Sequence, residues 1–176
     1  MSKLRPALFL DRDGVLNIDR GYIARVEDFE WIDGAIDCIK AFKARGWLIF
    51  IVTNQSGIAF NLYTEADMQA VHTHMLETIE AAGTEIDHIY FCPYHAEGTD
   101  PKYRNDSFDR KPKPGMLLKA MADYPVQREA SFLIGDKKTD IEAAHAAGIL
   151  GFLFSCGNLS DFAESALASF KDESKG

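Results

Sequence analysis

The sequence predicts an α/β fold: a three-layer αβα Rossmann-like sandwich with a mainly parallel sheet and no inserted cap domain. Short apolar runs alternate along the chain with longer segments of helical periodicity. The apolar runs are continuous rather than alternating, as in parallel strands that are buried on both faces. Repeated strand–helix units of this kind place helices on both sides of one sheet. The length of 176 residues fits one domain, which we expect to span residues 1–176.

The first strand–helix–strand unit lies in the N-terminal part of the chain. The apolar run 7–10 predicts a short buried strand. After a long loop, a helix is predicted at 34–45, with Asp33 as its N-cap and Gly46 as its stop. The continuous apolar run 47–52 predicts the second strand.

A second unit follows. Thr64-Glu65-Ala66-Asp67 resembles a capping box, with Asp in place of the usual Glu or Gln, and predicts a helix to about Ala82 that Gly83 ends. The third strand is expected at 86–91. The segment 93–112 is polar and longer than most loops, which is typical of a functional or mobile region.

The C-terminal part repeats the alternation. Pro114 favours the start of a helix, and Gly148 favours the end of one. The remaining strands are expected at 131–134 and 151–154, and the remaining helices at 114–123, 139–147 and 159–170.

Composition limits the classes of function. The chain is 47% hydrophobic and 26% charged, as ordinary globular proteins are. Its net charge of -8 argues against a nucleic-acid partner, and no apolar run approaches the ~20 residues of a membrane span. Three well-separated cysteines, and a start that leads directly into the first strand without a signal peptide, favour the cytoplasm. We expect a monomer, because no periodic exposed apolar face is evident.

Two acids follow the first predicted strand. Asp11 and Asp13 stand two residues apart, and Gly14 permits a sharp turn after them. Open α/β folds bind ligands at this carboxyl edge. Clustered carboxylates repel one another unless a cation neutralises them, so the segment predicts Mg2+ with a phosphate beside it. An Asx turn is the alternative, whereas Leu16 stands where an EF-hand calcium loop needs glycine.

Three later segments carry polar side chains at predicted strand ends or helix starts. They are Thr-Asn-Gln-Ser-Gly at 53–57, Arg-Lys-Pro-Lys at 110–113 and Asp-Lys-Lys-Thr-Asp at 136–140. Taken singly, these segments also fit a strand-end cap, solvated loop lysines and a helix N-cap. Their joint occurrence favours one site with hydroxyl and amide donors, a lysine and a third carboxylate, at the edge where parallel strands end.

Together these segments resemble the haloacid dehalogenase-like superfamily of aspartate-based phosphatases. The superfamily motifs correspond to Asp11-Arg12-Asp13-Gly14-Val15, Thr53, Lys111, and Gly135-Asp136 with Asp140. More narrowly, the chain is similar to the D-glycero-D-manno-heptose-1,7-bisphosphate phosphatases and the related histidinol-phosphatases, from about Arg5 to Gly148. The segments that carry this narrower resemblance are 10–14, 19–22, 52–59, 91–93, 110–116 and 134–137.

The resemblance implies a phosphoric monoester hydrolase with an aspartyl-phosphate intermediate. The implied catalytic residues are Asp11 as nucleophile, Asp13 as general acid and base, and Thr53 and Lys111 as stabilisers of the phosphoryl oxygens. The implied residues for Mg2+ are Asp11, Asp136 and, through its backbone carbonyl, Asp13. The implied substrate-binding residues are Asp19, Arg20, Gly21, Tyr22, Asn54, Gln55, Ser56, Arg110 and Lys137. The expected substrate is a sugar phosphate, the heptose 1,7-bisphosphate at its 7-phosphate, in lipopolysaccharide-core or heptose-nucleotide synthesis.

Two departures from the subgroup pattern stand out. Members often carry a zinc site of the form Cys-x-His…Cys-x-Cys before the Arg-Lys-Pro segment. Here Cys92 remains, His95 is one residue late, and the other ligand positions hold the residues Tyr94, Ser107 and Asp109. Structural zinc needs four N or S ligands, so no bound zinc is expected. In addition, Phe60-Asn61 replaces the usual Arg-Gly.

Two other functions remain open at this stage. One is a phosphatase for histidinol phosphate or another small phosphate monoester. The other is a phosphate-binding module without catalysis, against which the complete set of acids argues. The histidines offer no rival chemistry, because His72 and His74 are predicted on different faces of one helix and no P-loop or nucleophile elbow is present.

Overall fold

The computed structural model describes residues 3–173 as a sheet of parallel strands between helices. The strands are β1 (Ala7–Leu10), β2 (Leu48–Asn54), β3 (His88–Cys92), β4 (Phe132–Gly135) and β5 (Leu150–Leu153). The helices are α1 (Ala35–Ala44), α2 (Glu65–Ala81), α3 (Gly115–Asp123), α4 (Lys138–Ala146) and α5 (Leu159–Glu173). Residues 1, 2 and 174–176 of the expected single domain lie outside the described residues.

The five strands lie in the order β3-β2-β1-β4-β5, and every neighbouring pair is parallel. The prediction of an α/β fold with a parallel sheet is therefore confirmed. The chain moves outward from β1 through β2 to β3, and then returns to the other side of β1 at β4. Open α/β sheets bind ligands where the strand order reverses in this way. That point lies here between β1 and β4.

Two apolar clusters, one on each face of the sheet, join the sheet to the helix layers on either side. Alternate strand residues point to opposite faces, so Leu8 and Leu10 belong to one cluster and Ala7 and Phe9 to the other. Helices α1, α2 and α5 cover the first face, and α3 and α4 cover the second. Every residue of β1 and β4 is buried, which explains why these strands read as continuous apolar runs.

Some boundaries differ from the sequence-based expectation. β2 continues to Asn54, so Thr53 and Asn54 belong to the strand and pair with Phe91 and Cys92 of β3. The predicted cap at Asp33 is wrong, because Gly34 is the N-cap residue of α1, with φ of 77° and no side-chain cap bond. Within residues 3–173, no helix combines the length and hydropathy that a membrane span requires.

The predicted capping box at the start of α2 is confirmed. The Asp67 N–H donates to Thr64 Oγ1 (3.1 Å), and the Thr64 N–H donates to Asp67 Oδ2 (2.8 Å). These reciprocal bonds fix the residue at which the helix begins. The starting residue in turn determines which side chains of α2 face the sheet, and His72 is one of the buried ones.

Candidate active site

The carboxyl ends of β1 and β4 bring two acids together. Asp11 directly follows β1, and its N–H donates to the carbonyl oxygen of Ile134 in β4 (3.1 Å). Asp136 directly follows β4. Both acids thus lie at the reversal of strand order, where the fold class predicts a ligand site.

Asp11, Lys111, Asp136 and Asp140 form what we call the central charge cluster. Lys111 Nζ lies 3.0 Å from Asp11 Oδ1 and 2.6 Å from Asp140 Oδ1, and it also donates to the carbonyl oxygen of Val52 (2.8 Å). Asp11, Lys111 and Asp140 are all buried, with exposed fractions of 6, 3 and 1%. Buried charges are tolerated when they are paired and hydrogen-bonded in this way.

The charges of this cluster shift one another's protonation. Burial raises the pKa of Asp11 to about 7, although the ammonium group of Lys111 opposes the shift. Burial by itself lowers the pKa of Lys111, but the carboxylates of Asp11 and Asp140 outweigh burial and raise it. Burial also raises the pKa of Asp136. Burial therefore disfavours the ionised forms of Asp11 and Asp136, and Lys111 offsets this only in part for Asp11.

The donor set of the cluster fits a hard divalent cation. One carboxylate oxygen from each of Asp11, Asp136 and Asp140 lies within 4.8 Å of the others. The buried Asp136 Oδ1 has no hydrogen-bond partner among the described residues. At Gly14, with φ of 85°, a Cβ atom would collide with the Asp136 carboxylate, so glycine keeps this space open.

Asp140 differs from the other two acids of this donor set, because both of its carboxylate oxygens have partners within the protein. Its Oδ1 faces Lys111, while its Oδ2 accepts the N–H groups of Asp136 (3.1 Å) and Lys137 (3.0 Å). Asp140 thus fixes both the lysine and the loop that presents Asp136. That Asp11 and Asp136 are the carboxylates that hold the cation stays a prediction from the sequence.

Asp13 is held in a different environment. Its Oδ1 accepts from Arg12 Nη2 (2.9 Å), Arg12 Nε (3.3 Å) and Asn17 Nδ2 (3.0 Å). Its Oδ2 accepts only from Gln55 Nε2 (3.2 Å) among the described residues. The Asp13 carboxylate makes no ion pair with Lys111 among the described residues, and the expected role of Asp13 toward Mg2+, through its backbone carbonyl, stays a prediction.

The side chain of Gln55 links Asp13 to Thr53 and Tyr63. It donates to Thr53 Oγ1 (2.8 Å) as well as to Asp13, and it accepts from the hydroxyl of Tyr63 (2.6 Å). Thr53 is fully buried and is not among the residues that line the cavity over Asp11 and Asp13. Its expected contact with a phosphoryl oxygen remains a prediction.

A cavity of about 360 Å3 opens over Asp11 and Asp13. The other residues that line it are Asp19, Gly21, Tyr22, Asn54, Gln55, Ser56, Tyr63, Arg110, Lys111, Lys137, Thr139 and Asp140. The fold therefore gathers most of the residues expected from the sequence around one space. Arg20 is the exception among the expected substrate contacts, because it is exposed outside the lining and pairs with Glu30.

Four residues, Asp19, Tyr22, Arg110 and Lys137, form what we call the cavity rim. Lys137 Nζ lies 3.1 Å from Asp19 Oδ2, which ties the loop after β1 to the start of α4. Arg110 Nη1 is buried and has no hydrogen-bond partner among the described residues, and burial lowers the pKa of its guanidinium. An unpaired guanidinium that faces a cavity is suited to bind an anion.

The positions expected to have lost zinc are engaged by protein groups. Cys92 Sγ contacts the carbonyl oxygen of Tyr94 (3.9 Å), and His95 Nδ1 accepts the N–H of Glu97 (3.1 Å). The His95 ring packs against Phe60, with 4.9 Å between ring centroids. Asp109 pairs with Lys119. Whether this segment binds zinc stays at the level of the sequence-based prediction.

Several residues that shape the site had no role assigned from the sequence. Asp140 stands in a matched segment, but only the fold shows that it holds Lys111. Arg12 and Tyr63 are adjacent in space to Asp13 and Gln55, respectively. His72 contacts Arg12 from α2. An acid in the first turn of a helix signals Asp140, whereas the other contacts depend on packing.

Comparison with known proteins places these residues in a family. A family model described as HAD-hydrolase-like matches residues 108–172. The D-glycero-beta-D-manno-heptose-1,7-bisphosphate 7-phosphatase of Rhodopseudomonas palustris is 44% identical over 163 residues, which cover 93% of this chain and 91% of that protein. The chain belongs to this family of HAD-like phosphatases. The family prediction made from the sequence, and with it the class of phosphoric monoester hydrolases, is therefore confirmed.

Two further relatives agree with this family. The enzyme of the same name from Escherichia coli K12 is 42% identical over 149 residues, which cover 85% of this chain and 78% of that protein. The structure of D,D-heptose 1,7-bisphosphate phosphatase from B. bronchiseptica, complexed with magnesium and phosphate, superposes with a TM-score of 0.78 at 28% identity. That alignment covers 91% of this chain and 86% of the other.

Proposed function

We propose that this chain is a Mg2+-dependent phosphatase that hydrolyses the 7-phosphate of D-glycero-D-manno-heptose 1,7-bisphosphate. One observation carries the proposal: Asp11 and Asp13 line the same cavity. Asp11 belongs to the central charge cluster, and Asp13 lies outside it. One acid is held against a lysine and two further carboxylates, and the other against neutral and guanidinium donors. Two carboxylates in contrasting environments are suited to two different roles.

In the proposed reaction, Asp11 is the nucleophile. A carboxylate oxygen of Asp11 forms a bond to phosphorus while the bond from phosphorus to the sugar oxygen breaks. The electron pair of that bond stays on the sugar oxygen, which takes the proton of Asp13. Lys111 Nζ, 3.0 Å from Asp11 Oδ1, stabilises the negative charge of the transferring group.

The second half of the reaction restores the enzyme. Asp13, now ionised, takes a proton from a water molecule whose oxygen attacks phosphorus. The bond between phosphorus and Asp11 breaks, inorganic phosphate leaves, and Asp13 is protonated again. Arg12, Asn17 and Gln55 hold the Asp13 carboxylate through both transfers.

Mg2+ completes the site in this proposal. Asp11 and Asp136 would hold it, with the backbone carbonyl of Asp13 as a further ligand, because Asp136 Oδ1 is buried without a hydrogen-bond partner among the described residues. When bound, the ion neutralises phosphate oxygens and favours the ionised form of Asp11. The magnesium and phosphate bound by the B. bronchiseptica relative support this assignment.

In this proposal the cavity rim binds the second phosphate of the substrate. We assign Arg110 to the 1-phosphate, because its guanidinium is half-buried and its Nη1 is unpaired among the described residues. The guanidinium of an arginine can donate to two oxygens of one phosphate group at the same time. Lys137 and Tyr22 line the same opening and would contact the sugar.

The cellular setting belongs to the same proposal. The proposed substrate belongs to heptose synthesis for lipopolysaccharide. We further propose that the enzyme acts in the cytoplasm, as a monomer, without nucleic-acid or membrane partners. The three cysteines are free thiols, which supports a reducing compartment.

The test is phosphate release with and without Mg2+ from a panel of substrates. The panel holds both anomers of the heptose bisphosphate, histidinol phosphate, fructose 1,6-bisphosphate and simple sugar monophosphates, and Asp11→Asn controls for contaminating phosphatase. We expect kcat/KM to favour one heptose bisphosphate anomer about 100-fold or more, a difference of about 2.7 kcal/mol. Phosphorus NMR should identify heptose 1-phosphate as the product. A flat profile, or a preference for histidinol phosphate, would contradict the proposed substrate.

A further inference from the structure

The guanidinium of Arg12 lies between Asp13 and helix α2. Arg12 is fully buried, and its Nη2 and Nε lie 2.9 and 3.3 Å from Asp13 Oδ1. On the opposite side, its Nη1 lies 3.2 Å from His72 Nε2. A single side chain therefore connects the general acid of the proposed reaction to a histidine outside the cavity.

The chemistry of the pair fixes the protonation of His72. Arginine has only donors, so His72 Nε2 must accept and cannot carry a proton in this contact. His72 is 3% exposed, and burial together with the Arg12 charge lowers its pKa to about 4. The histidine is therefore neutral at physiological pH, and it satisfies a guanidinium N–H that would otherwise be buried without a partner.

The fork of Arg12 divides the two oxygens of Asp13 into different roles. Oδ1 accepts from both Arg12 nitrogens and from Asn17, whereas Oδ2 has the single donor Gln55 among the described residues. A proton is excluded from an oxygen that already faces three donors. Oδ2 is therefore the oxygen of Asp13 that can carry the proton.

We propose that His72 is a positioning residue for proton transfer: its bond to Arg12 Nη1 orients the guanidinium fork, and the fork directs Asp13 Oδ2 toward the leaving oxygen. This inference rests on the proposed phosphatase mechanism, in which Asp13 is the general acid. His72 itself touches neither the substrate nor the reacting atoms. Without this acceptor, Arg12 Nη1 is buried with no partner, and only the bonds to Asp13 Oδ1 and to the carbonyl oxygen of Ile23 (3.4 Å) hold the guanidinium. A small rotation of the guanidinium would then displace Asp13, and proton transfer is sensitive to such displacements.

Substrates with different leaving groups can distinguish a role of His72 in proton transfer from a role in overall stability. When phosphorus is transferred from a sugar to Asp11, an alkoxide leaves and needs the proton of Asp13. When it is transferred from p-nitrophenyl phosphate, the nitrophenolate leaves as a stable anion and needs no proton. The ratio kcat/KM covers the steps up to the first irreversible bond cleavage, so it isolates this half of the reaction.

The experiment compares His72→Leu, His72→Gln and the wild type on the best sugar phosphate and on p-nitrophenyl phosphate. We expect His72→Leu to lower kcat/KM for the sugar phosphate about 10- to 100-fold, and that for the aryl phosphate less than about 3-fold. Gln offers an oxygen acceptor and should recover most of the activity. The control is His74→Leu, a histidine on the same helix whose ring packs against Phe29, and it should leave both ratios unchanged.

Equal losses on the two substrates, or no loss on either, would overturn the proposal, as would a His72→Gln variant as impaired as His72→Leu. If His72→Leu does not fold, His72→Asn tests the same inference, because its shorter side chain stays polar but does not bring an acceptor as close to Arg12 Nη1; the same selective loss is expected. A wild type that prefers a sugar other than the heptose contradicts the proposed substrate only. The ratio test then uses the preferred sugar, so the two failures are distinguishable.

Discussion

The central charge cluster and the cavity rim lie side by side but are built in opposite ways. In the cluster, buried carboxylates and one lysine hold each other in place through short contacts, as between Lys111 and both Asp11 and Asp140. At the rim, Lys137 is more than half exposed and Arg110 Nη1 has no partner among the described residues. Lys111 thus holds two of the cluster's three carboxylates, whereas the rim presents the guanidinium of Arg110 with its Nη1 unpaired among the described residues. We therefore predict that the proposed chemistry depends on the cluster together with Asp13, and that the choice of substrate depends on the rim.

The largest effect is expected where the cluster supplies the nucleophile. Asp11→Asn keeps the shape of the side chain but removes the attacking oxygen anion, so kcat should fall about 10⁴-fold or more. Phosphate release under saturating substrate and Mg2+ measures this loss. Residual turnover within about 10-fold of the wild type would place the nucleophile elsewhere.

The second prediction concerns the cation. Asp136→Asn removes the carboxylate whose buried oxygen lacks a partner among the described residues, so half-maximal activity should require about 100-fold more Mg2+ or beyond. A titration of Mg2+ at fixed substrate measures the shift. Glu85→Gln, an exposed acid paired with Lys43, is the control and should need the same Mg2+ as the wild type. An unchanged requirement in Asp136→Asn would remove this residue from the metal site.

The third prediction tests the electrostatic strain of the cluster without metal. Burial raises the pKa of Asp11 from 3.8 to about 7 in the folded protein. Between these two pH values Asp11 is ionised in the unfolded chain but still protonated in the folded protein. Ionisation therefore favours the unfolded state, and the metal-free wild type loses stability as pH rises from about 4 to about 7. Asp11→Asn lacks this loss.

We therefore expect the melting temperature of Asp11→Asn, measured in EDTA, to exceed that of the wild type at pH 8 by about 5 °C and to approach it near pH 4. Excess Mg2+ should stabilise the wild type more than the variant at pH 8. A difference in melting temperature that is independent of pH would contradict the raised pKa.

The cluster was more predictable than its surroundings for a physical reason. Asp11 and Asp136 each follow an apolar strand directly, and the parallel sheet alone brings such strand ends together. The direction of Arg20, in contrast, depends on the path of an exposed loop, and it pairs with Glu30 outside the cavity. The contact of His72 with Arg12 depends on how α2 packs, which local sequence does not encode.

The fourth prediction moves to the rim. Arg110→Met removes the guanidinium assigned to the second phosphate, so KM for the bisphosphate should rise about 10- to 100-fold, the usual worth of a charged hydrogen bond. The KM for a sugar with a single phosphate at the cleaved position should change little. Arg20→Met is the matched control, because Arg20 lies outside the cavity lining. Equal effects of the two substitutions would place the second phosphate away from Arg110.

The smallest effect is expected at Lys137, where the rim is most exposed. Lys137 Nζ already pairs with Asp19 at 3.1 Å. A substrate that binds Lys137 must replace this ion pair, so the net binding free energy from the contact is small, as it is for exposed ion pairs in general. Lys137→Met should raise KM about 2- to 5-fold with little change in kcat, while its neighbour Lys138→Met, whose partner is Glu142, should have no effect. A large fall in kcat for Lys137→Met would mean that the rim takes part in the chemistry, and the division between cluster and rim would no longer hold.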